Sequence, residues 1–76
     1  MISRERRNVA RLVLLRAWRA YGTAAFAVDP EGAHNAPLRD AERLGWCSFV
    51  GTRCRIEPAG VEELAPWGAV VGEAAD

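Results

Sequence analysis

Arginine is the residue type that could contribute most to binding by this chain, which has ten arginines and no lysine among 76 residues. A guanidinium presents five N–H donors in a planar fork, and this geometry matches phosphate and carboxylate oxygens. The densest group lies at the N-terminus and consists of Arg4, Arg6, Arg7 and Arg11. We interpret this group as a candidate electrostatic surface, and the alternative is a solvated, flexible start of the chain.

The charges are distributed unevenly although the formal net charge is zero. Residues 1–28 hold six arginines and one glutamate, a balance of +5, whereas residues 29–76 hold four arginines and nine acids, a balance of −5. The sequence pI of about 6.6 argues against a uniform nucleic-acid coat, for which the pI usually exceeds ~9. The pattern predicts a dipolar domain with a basic first element.

The sequence gives little support for metal binding or catalysis. Six residues separate Cys47 from Cys54, and the only histidine is His34, whereas structural zinc sites use four ligands with a close cysteine pair. We expect two reduced thiols that act as small apolar residues. His34 has no nucleophile at a known spacing, Asp29 and Glu31 belong to a solvated turn, and there is no glycine-rich phosphate loop. We therefore expect no metal, no cofactor and no enzymatic activity.

The length predicts one small domain. A chain of this size buries about 60% of its unfolded surface, so its core is marginal and leaves no room for a deep enzyme cleft. No apolar run reaches the ~18 residues that a membrane span requires. Arg11, Arg16 and Arg19 interrupt the one candidate for a secretory signal. We expect a cytoplasmic protein that does not contact membranes.

The first predicted element is a helix that Ser3 caps, that runs to about Tyr21 and that Gly22 ends. Its predicted core face covers about half the helix circumference. The residues of this face are Val9, Ala10, Val13, Leu14, Ala17, Trp18, Ala20 and Tyr21.

Two leucines lie among the arginines on the other half of this helix. In the interpretation that we favour, arginine stems cover Leu12 and Leu15. In the alternative, the two leucines form a mixed surface with Arg16 and Arg19 for a partner or for a second copy of the chain.

A second helix is predicted after a turn at residues 29–32. The preceding apolar segment, residues 23–28, is too short to distinguish a strand from a tight helical turn. The helix begins at Asn35 or Ala36, carries Pro37 in its first turn, runs to about Leu44 and ends at Gly45. Its predicted inner positions are Leu38, Ala41 and Leu44, and its predicted outward positions are Arg39, Asp40, Glu42 and Arg43.

A β-hairpin is predicted over residues 46–56. A turn centred on Val50 and Gly51 would place Cys47 opposite Cys54. The alternation predicts that Cys47, Phe49, Cys54 and Ile56 are buried and that Ser48, Arg53 and Arg55 face water.

A last helix is predicted from Pro58 to Pro66, with Val61, Leu64 and Ala65 on one side. The domain would then span residues 1–66, with residues 67–76 as a C-terminal tail. We expect Trp67 to dock onto the domain. If it were exposed, it would be a candidate interface residue, because tryptophan is enriched among binding hot spots.

Two segments carry a resemblance to a known family. They are LRDAERLGW at residues 38–46 and RCRIEPAGVEEL at residues 53–64. A helix that ends in a leucine–glycine–aromatic step, then a hairpin, then a phrase such as IEPAG at residues 56–60 resembles the winged-helix variant of the helix-turn-helix, over roughly residues 37–65. The resemblance implies a small α+β winged-helix-like domain of three helical segments and a two-stranded hairpin.

The resemblance also implies a small DNA-binding regulator that could bind as a dimer. Arginine without lysine, beside abundant alanine and glycine, indicates a bacterial or phage source. Arg39 and Arg43 would reach base edges, and Arg53 and Arg55 would hold phosphate. The alternative on the second helix is a solvated face with pairing of Asp40 and Arg43.

A different class of function is a phage-encoded module that inhibits a host protein complex, of the anti-CRISPR type. Such a module could dock through the arginine–leucine surface of the first helix, or mimic nucleic acid through acidic residues. The acidic residues in question are Glu57, Glu62, Glu63 and Glu73.

Overall fold

Within the residues that the structure describes, three helices and a three-stranded antiparallel sheet form an α+β domain with a layout compatible with a winged helix. The computed structural model describes residues 2–75, and it describes side chains for residues 2–67. The elements are α1 (Arg4–Tyr21), β1 (Phe26–Ala27), α2 (Asn35–Arg43), β2 (Cys47–Val50), β3 (Arg53–Ile56) and α3 (Pro58–Ala75).

Helix α1 begins and ends where the sequence predicts. The Ser3 hydroxyl accepts a hydrogen bond from the Arg6 amide at 3.2 Å, and Gly22, at φ 64°, donates its amide to the Trp18 carbonyl at 2.8 Å. The buried stripe is narrower than predicted. Ala10 and Leu14 are buried completely, and Val13, Ala17 and Trp18 pack against the core, whereas Val9, Ala20 and Tyr21 are exposed.

The sheet has three strands, one more than the two-stranded hairpin that the sequence predicts. Residues 23–28 were predicted as either a strand or a tight helical turn. Within this segment, Phe26 and Ala27 form strand β1, which pairs with β3, with Phe26 opposite Cys54 and Ala27 opposite Arg53. The strand order is β1-β3-β2, so β3 is central. Phe26 is buried, and this strand therefore contributes a large side chain to the core.

The register of the hairpin differs from the prediction. Phe49, not Cys47, lies opposite Cys54, and Cys47 lies opposite Ile56. The loop consists of Gly51 and the residue after it, because Val50 pairs with Arg53. Gly51 has φ 63°, as a type II′ turn requires at its first central position, so the chain reverses one residue later than predicted.

Helix α2 ends in a glycine-dependent cap. Gly45, at φ 81°, donates its amide to the Glu42 carbonyl at 3.0 Å, and the Trp46 amide bonds the Ala41 carbonyl at 2.9 Å. This pair of bonds is a Schellman motif, and it satisfies carbonyls that the helix end would otherwise leave free. It also leads directly into buried Trp46 and the start of β2.

Helix α3 does not end at Pro66 as predicted, but continues to Ala75. A proline removes one backbone donor and disturbs the preceding turn, and a helix can continue beyond it with a kink. Residues 67–75, which were predicted as part of a C-terminal tail, are therefore helical. The Trp67 side chain is 52% exposed, so the predicted docking of this residue is wrong.

The start of α3 packs very closely against the hairpin. A Cβ atom at Gly60 would lie 2.1 Å from the Trp46 carbonyl oxygen, which already accepts a hydrogen bond from the Glu57 amide at 2.9 Å. Only glycine fits at this contact. It fixes α3 against the core, which consists of Ala10, Leu14, Phe26, Leu38, Ala41, Trp46, Cys47, Cys54, Ile56 and Leu64.

Candidate nucleic-acid interface

Helices α1 and α2 pack side by side in opposite directions. Arg6, near the start of α1, contacts Asp40 in the second half of α2, and Tyr21, at the end of α1, shares a cleft with Asn35 at the start of α2. Each end of this helix pair therefore combines residues from both helices.

Arg6 and Asp40 form the principal ion pair between the two helices. The Arg6 Nε and Nη2 atoms donate to the two Asp40 carboxylate oxygens at 3.1 and 2.5 Å, a bidentate arrangement. The Asp40 side chain is only 7% exposed, so the prediction that it faces outward is wrong. The hydrogen bonds from Arg6 hold the pKa of Asp40 below its ordinary value of 3.8, against the opposing effect of desolvation.

Two further arginines gather beside this pair. Arg6, Arg7 and Arg43 line one shallow hollow of about 380 Å³ with Ile2 and Leu44. We call these three arginines the basic end. The structure thus brings part of the N-terminal cluster to the second helix, whose Arg43 is predicted to reach base edges.

The predicted pairing of Arg43 with Asp40 is present at 3.6 Å, but Arg43 remains 68% exposed. Arg7 is exposed and has no acidic partner among the side chains of residues 2–67. Arg4, one turn before Arg7, is likewise exposed. The basic end therefore offers guanidinium donors to an anion, while Arg6 also pairs with the neighbouring buried Asp40.

The helix dipoles support this arrangement. Arginines at the N-terminus of an isolated α1 would face the positive end of its dipole, which is unfavourable. In the fold, the C-terminal end of α2 carries the opposite partial charge, and it lies beside Arg6 and Arg7. The packing therefore stabilises three close positive charges.

Arg39 does not project freely as a base-reading side chain. Its guanidinium lies 3.8 Å from the centroid of the Phe49 ring and also bonds Glu42 at 3.2 Å. Phe49, a predicted core residue, is only half-buried, and this cation–π contact covers one side of its ring. The arrangement gives Arg39 a structural role between α2 and β2.

The arginines of the hairpin lie on a different surface. Strand β3 alternates between exposed Arg53 and Arg55 and buried Cys54 and Ile56, so both arginines point to the face of the sheet that is turned away from the core. Arg55 lies 3.5 Å from Glu57, which also accepts a hydrogen bond from Ser48 at 3.0 Å. The structure therefore separates these arginines from the basic end.

Arg11 joins α1 to α3, a role that our sequence reasoning missed. Its guanidinium bonds the Glu63 carboxylate at 2.9 Å and lies 5.7 Å from the centroid of the Trp46 ring. A signal was present, because Arg11, Leu14 and Trp18 are spaced as neighbours on one helix face. Arg11 is consequently a structural member of the N-terminal cluster.

The exposed side of α1 carries the remaining arginine–leucine surface. Leu12 is 59% exposed, so the arginine stems do not cover it as we expected. Arg16 and Arg19 are exposed as well, whereas Leu15 is half-buried and packs against the core. We call Leu12, Arg16 and Arg19 the outer face of α1.

The acidic residues proposed as a nucleic-acid mimic do not form one free surface. Glu57 bonds Ser48, and Glu63 bonds Arg11, whereas Glu62 is exposed. The Glu73 side chain lies outside the described residues. Internal bonds therefore engage two of the three described carboxylates.

The two thiols are buried side chains of the sheet. Cys47 donates to the Leu38 carbonyl at 3.4 Å, and neither Cys47 nor Cys54 forms a disulfide. The neighbouring Cys54 thiol, together with burial, raises the pKa of Cys47. Within the described part of the chain, no three metal-ligating side chains come together, and His34 is exposed.

No protein-family model, no curated protein and no solved structure matches the chain. In the part of the chain that the structure describes, no helix is long and apolar enough to cross a membrane.

Proposed function

We propose that this chain is a small cytoplasmic DNA-binding protein of winged-helix type, of bacterial or phage origin, that contacts the phosphate backbone through the basic end. The observation that carries the proposal is the convergence of Arg6, Arg7 and Arg43 from two helices around one exposed hollow. Guanidinium groups bind phosphate oxygens through charge-assisted, bidentate hydrogen bonds.

The division of labour among the arginines supports the same function. Arg6 forms the bidentate pair with Asp40, whereas Arg7 has no acidic partner within residues 2–67. Arg43 lies 3.6 Å from Asp40 but remains 68% exposed, so Arg7 and Arg43 can both contact phosphates. Contacts of this kind position a protein on a duplex without reading its sequence. We therefore propose that backbone binding dominates the affinity and that Arg53, exposed on the hairpin, adds at most a peripheral contact.

Fluorescence anisotropy with a labelled random-sequence duplex tests this proposal. We expect binding with a Kd of about 10⁻⁶–10⁻⁴ M at physiological salt, the usual range for sequence-independent binding. Arg7→Ala and Arg43→Ala should each weaken binding several-fold, whereas Arg19→Ala, which removes the same charge from the outer face of α1, should not. Absence of binding even at low salt would refute the function.

The exposed Leu12 favours a second candidate function, a protein-interaction module that inhibits a host complex. An apolar side chain that is 59% exposed on the same helix as Arg16 and Arg19 would bury apolar area against a protein partner, whereas it adds nothing to a phosphate-binding surface. If this function is correct, Leu12→Asp should abolish capture of a defined bacterial complex, and the Arg7→Ala, Arg43→Ala double variant should retain it. The opposite pattern would exclude docking through the outer face of α1.

A further inference from the structure

A second hollow lies at the other end of the α1–α2 pair, remote from the basic end. It has a volume of about 310 Å³ and is bounded by the C-terminal half of α1, by β1 and by the start of α2. Val13, Phe26 and Leu38 form apolar walls. The space exists because Ala17 and Ala20 present only methyl groups towards it. We call this hollow the apolar cleft.

One wall of the apolar cleft is a flat aromatic surface. The Tyr21 and Phe26 rings stack with their centroids 4.8 Å apart and their planes within 12°. Tyr21 is 54% exposed although it is large and apolar, so folding does not bury this stack fully. A planar ring bound against it would bury apolar area and gain an aromatic contact.

Arg16 is the charged group of the cleft that can bind an anion. Arg16 lies at its rim, is exposed and has no acidic partner within residues 2–67. Asp29 also lines the cleft and accepts a hydrogen bond from the Glu31 amide at 3.0 Å, so an anion would bind on the Arg16 side. His34 also lines it, and its side chain makes no capping bond to α2.

We propose that the apolar cleft binds a small, flat, mostly apolar molecule that carries one carboxylate. The ring system would lie against Tyr21 and Phe26, and the carboxylate would bond the Arg16 guanidinium. The cleft volume is at the lower end of the ~300–1,000 Å³ that small-molecule sites occupy, so two fused rings are the expected size. This site is independent of the proposed nucleic-acid contact.

A titration followed by ¹H–¹⁵N NMR, with 1-naphthoate as the probe, tests the site. We expect shifts concentrated on residues of the cleft, such as Ala17, Tyr21, Phe26 and Leu38. The neutral 1-naphthol should bind about tenfold more weakly because it lacks the charge-assisted bond, and 1-naphthylmethylammonium should bind more weakly still.

Matched variants locate the two halves of the ligand. Arg16→Gln should reduce naphthoate affinity to that of 1-naphthol, and Arg19→Gln, one turn away and outside the cleft, should leave it unchanged. Ala20→Leu adds bulk at an exposed position of the cleft wall and should prevent binding of all three probes. Thermal melts of each variant check that it remains folded.

Several results would overturn the inference. One is the absence of saturable shifts up to about 5 mM naphthoate, because a Kd above this concentration is too weak for a small-molecule site. Another is a set of shifts centred on Arg7 and Arg43, which would identify general anion binding at the basic end. A third is tight binding of an aromatic peptide with no binding of naphthoate, which would make the cleft a protein-docking groove.

Discussion

The two ends of the α1–α2 pair are built on one core but present opposite chemistry. At one end, Arg6, Arg7 and Arg43 surround a hollow, and Arg6 also pairs with the neighbouring buried Asp40. At the other end, alanines and stacked aromatic rings leave an apolar cleft between Tyr21 and Leu38. The difference shows that the core sets the pairing of the helices, and that residues beyond the core decide what each end can bind.

The antiparallel arrangement makes this asymmetry favourable. At the basic end, the partial negative charge of the α2 C-terminus lies near the α1 arginines. At the apolar cleft, the nearest free positive side chain is Arg16 at the rim, so an apolar wall and one positive charge lie side by side. The two ends should therefore respond to different substitutions.

The largest effect is expected from a substitution in the core that both ends share. Leu14 is completely buried, so Leu14→Ala should lower the free energy of unfolding by about 2–5 kcal/mol, a large part of the ~5–15 kcal/mol typical of small domains. Urea denaturation measures the loss. The matched change Leu12→Ala, at an exposed position of the same helix, should stay within about 0.5 kcal/mol. Equal effects of the two changes would contradict the burial assigned to α1.

The next effect distinguishes the basic end by its pH dependence. Because the pKa of Asp40 is lowered in the fold, its charged form stabilises the protein fully above pH 3.8, and this contribution disappears as the pH falls through the lowered pKa. Asp40→Asn should therefore lower Tm at neutral pH, and its Tm should approach that of the wild type below pH 3.8.

Thermal melts between pH 2 and pH 7 measure this convergence. Glu62→Gln serves as the control, because Glu62 is exposed and has no ion pair within the described side chains. A Tm difference between wild type and Asp40→Asn that stays constant down to pH 2 would mean that the charge of Asp40 contributes nothing.

A smaller effect is expected from a substitution in the apolar cleft. Tyr21→Ala removes the ring that stacks on Phe26, and it should lower the free energy of unfolding by about 1 kcal/mol, since the side chain is half exposed. Chemical denaturation measures the change. Duplex affinity should remain at the wild-type value, and a parallel loss of DNA binding would show that the two ends are not separate.

The smallest effect tests the separation from the opposite direction. Ala20→Leu fills the wall of the apolar cleft without touching Arg7 or Arg43. Its affinity for duplex DNA should stay within about twofold of the wild type, since surface changes away from special features alter free energies by only ~0.5 kcal/mol. Anisotropy titrations measure this, and a larger change would couple the cleft to DNA binding.

Local signals in the sequence predicted most of the fold. Ser3, Gly22 and Gly45 mark helix boundaries through their own backbone preferences, and the structure confirms them. The prediction that the last helix ends at Pro66 was wrong, because a proline weakens a helix without always ending it. The hairpin register depended on a one-residue choice of turn centre at Gly51, which a single glycine does not fix.

The candidate site was less predictable because it depends on contacts between distant residues. Arg6 and Arg7 are neighbours in the sequence, but only Arg6 reaches the carboxylate of Asp40, 34 residues away. Arg39 and Arg43 look equivalent on α2, yet Phe49 lies beneath Arg39 alone. Charge patterning indicates that arginines are available, and only the packing shows which of them are engaged internally.

The salt dependence of duplex binding tests the central claim most directly. Each phosphate contact contributes about 0.9 to the slope of log K against log salt concentration, so the Arg7→Ala, Arg43→Ala double variant should have a slope about 2 smaller in magnitude than the wild type. The double variant Arg16→Ala, Arg19→Ala removes the same charge from the outer face of α1 and should keep the wild-type slope. Equal slopes for the two double variants would contradict a phosphate-binding surface at the basic end.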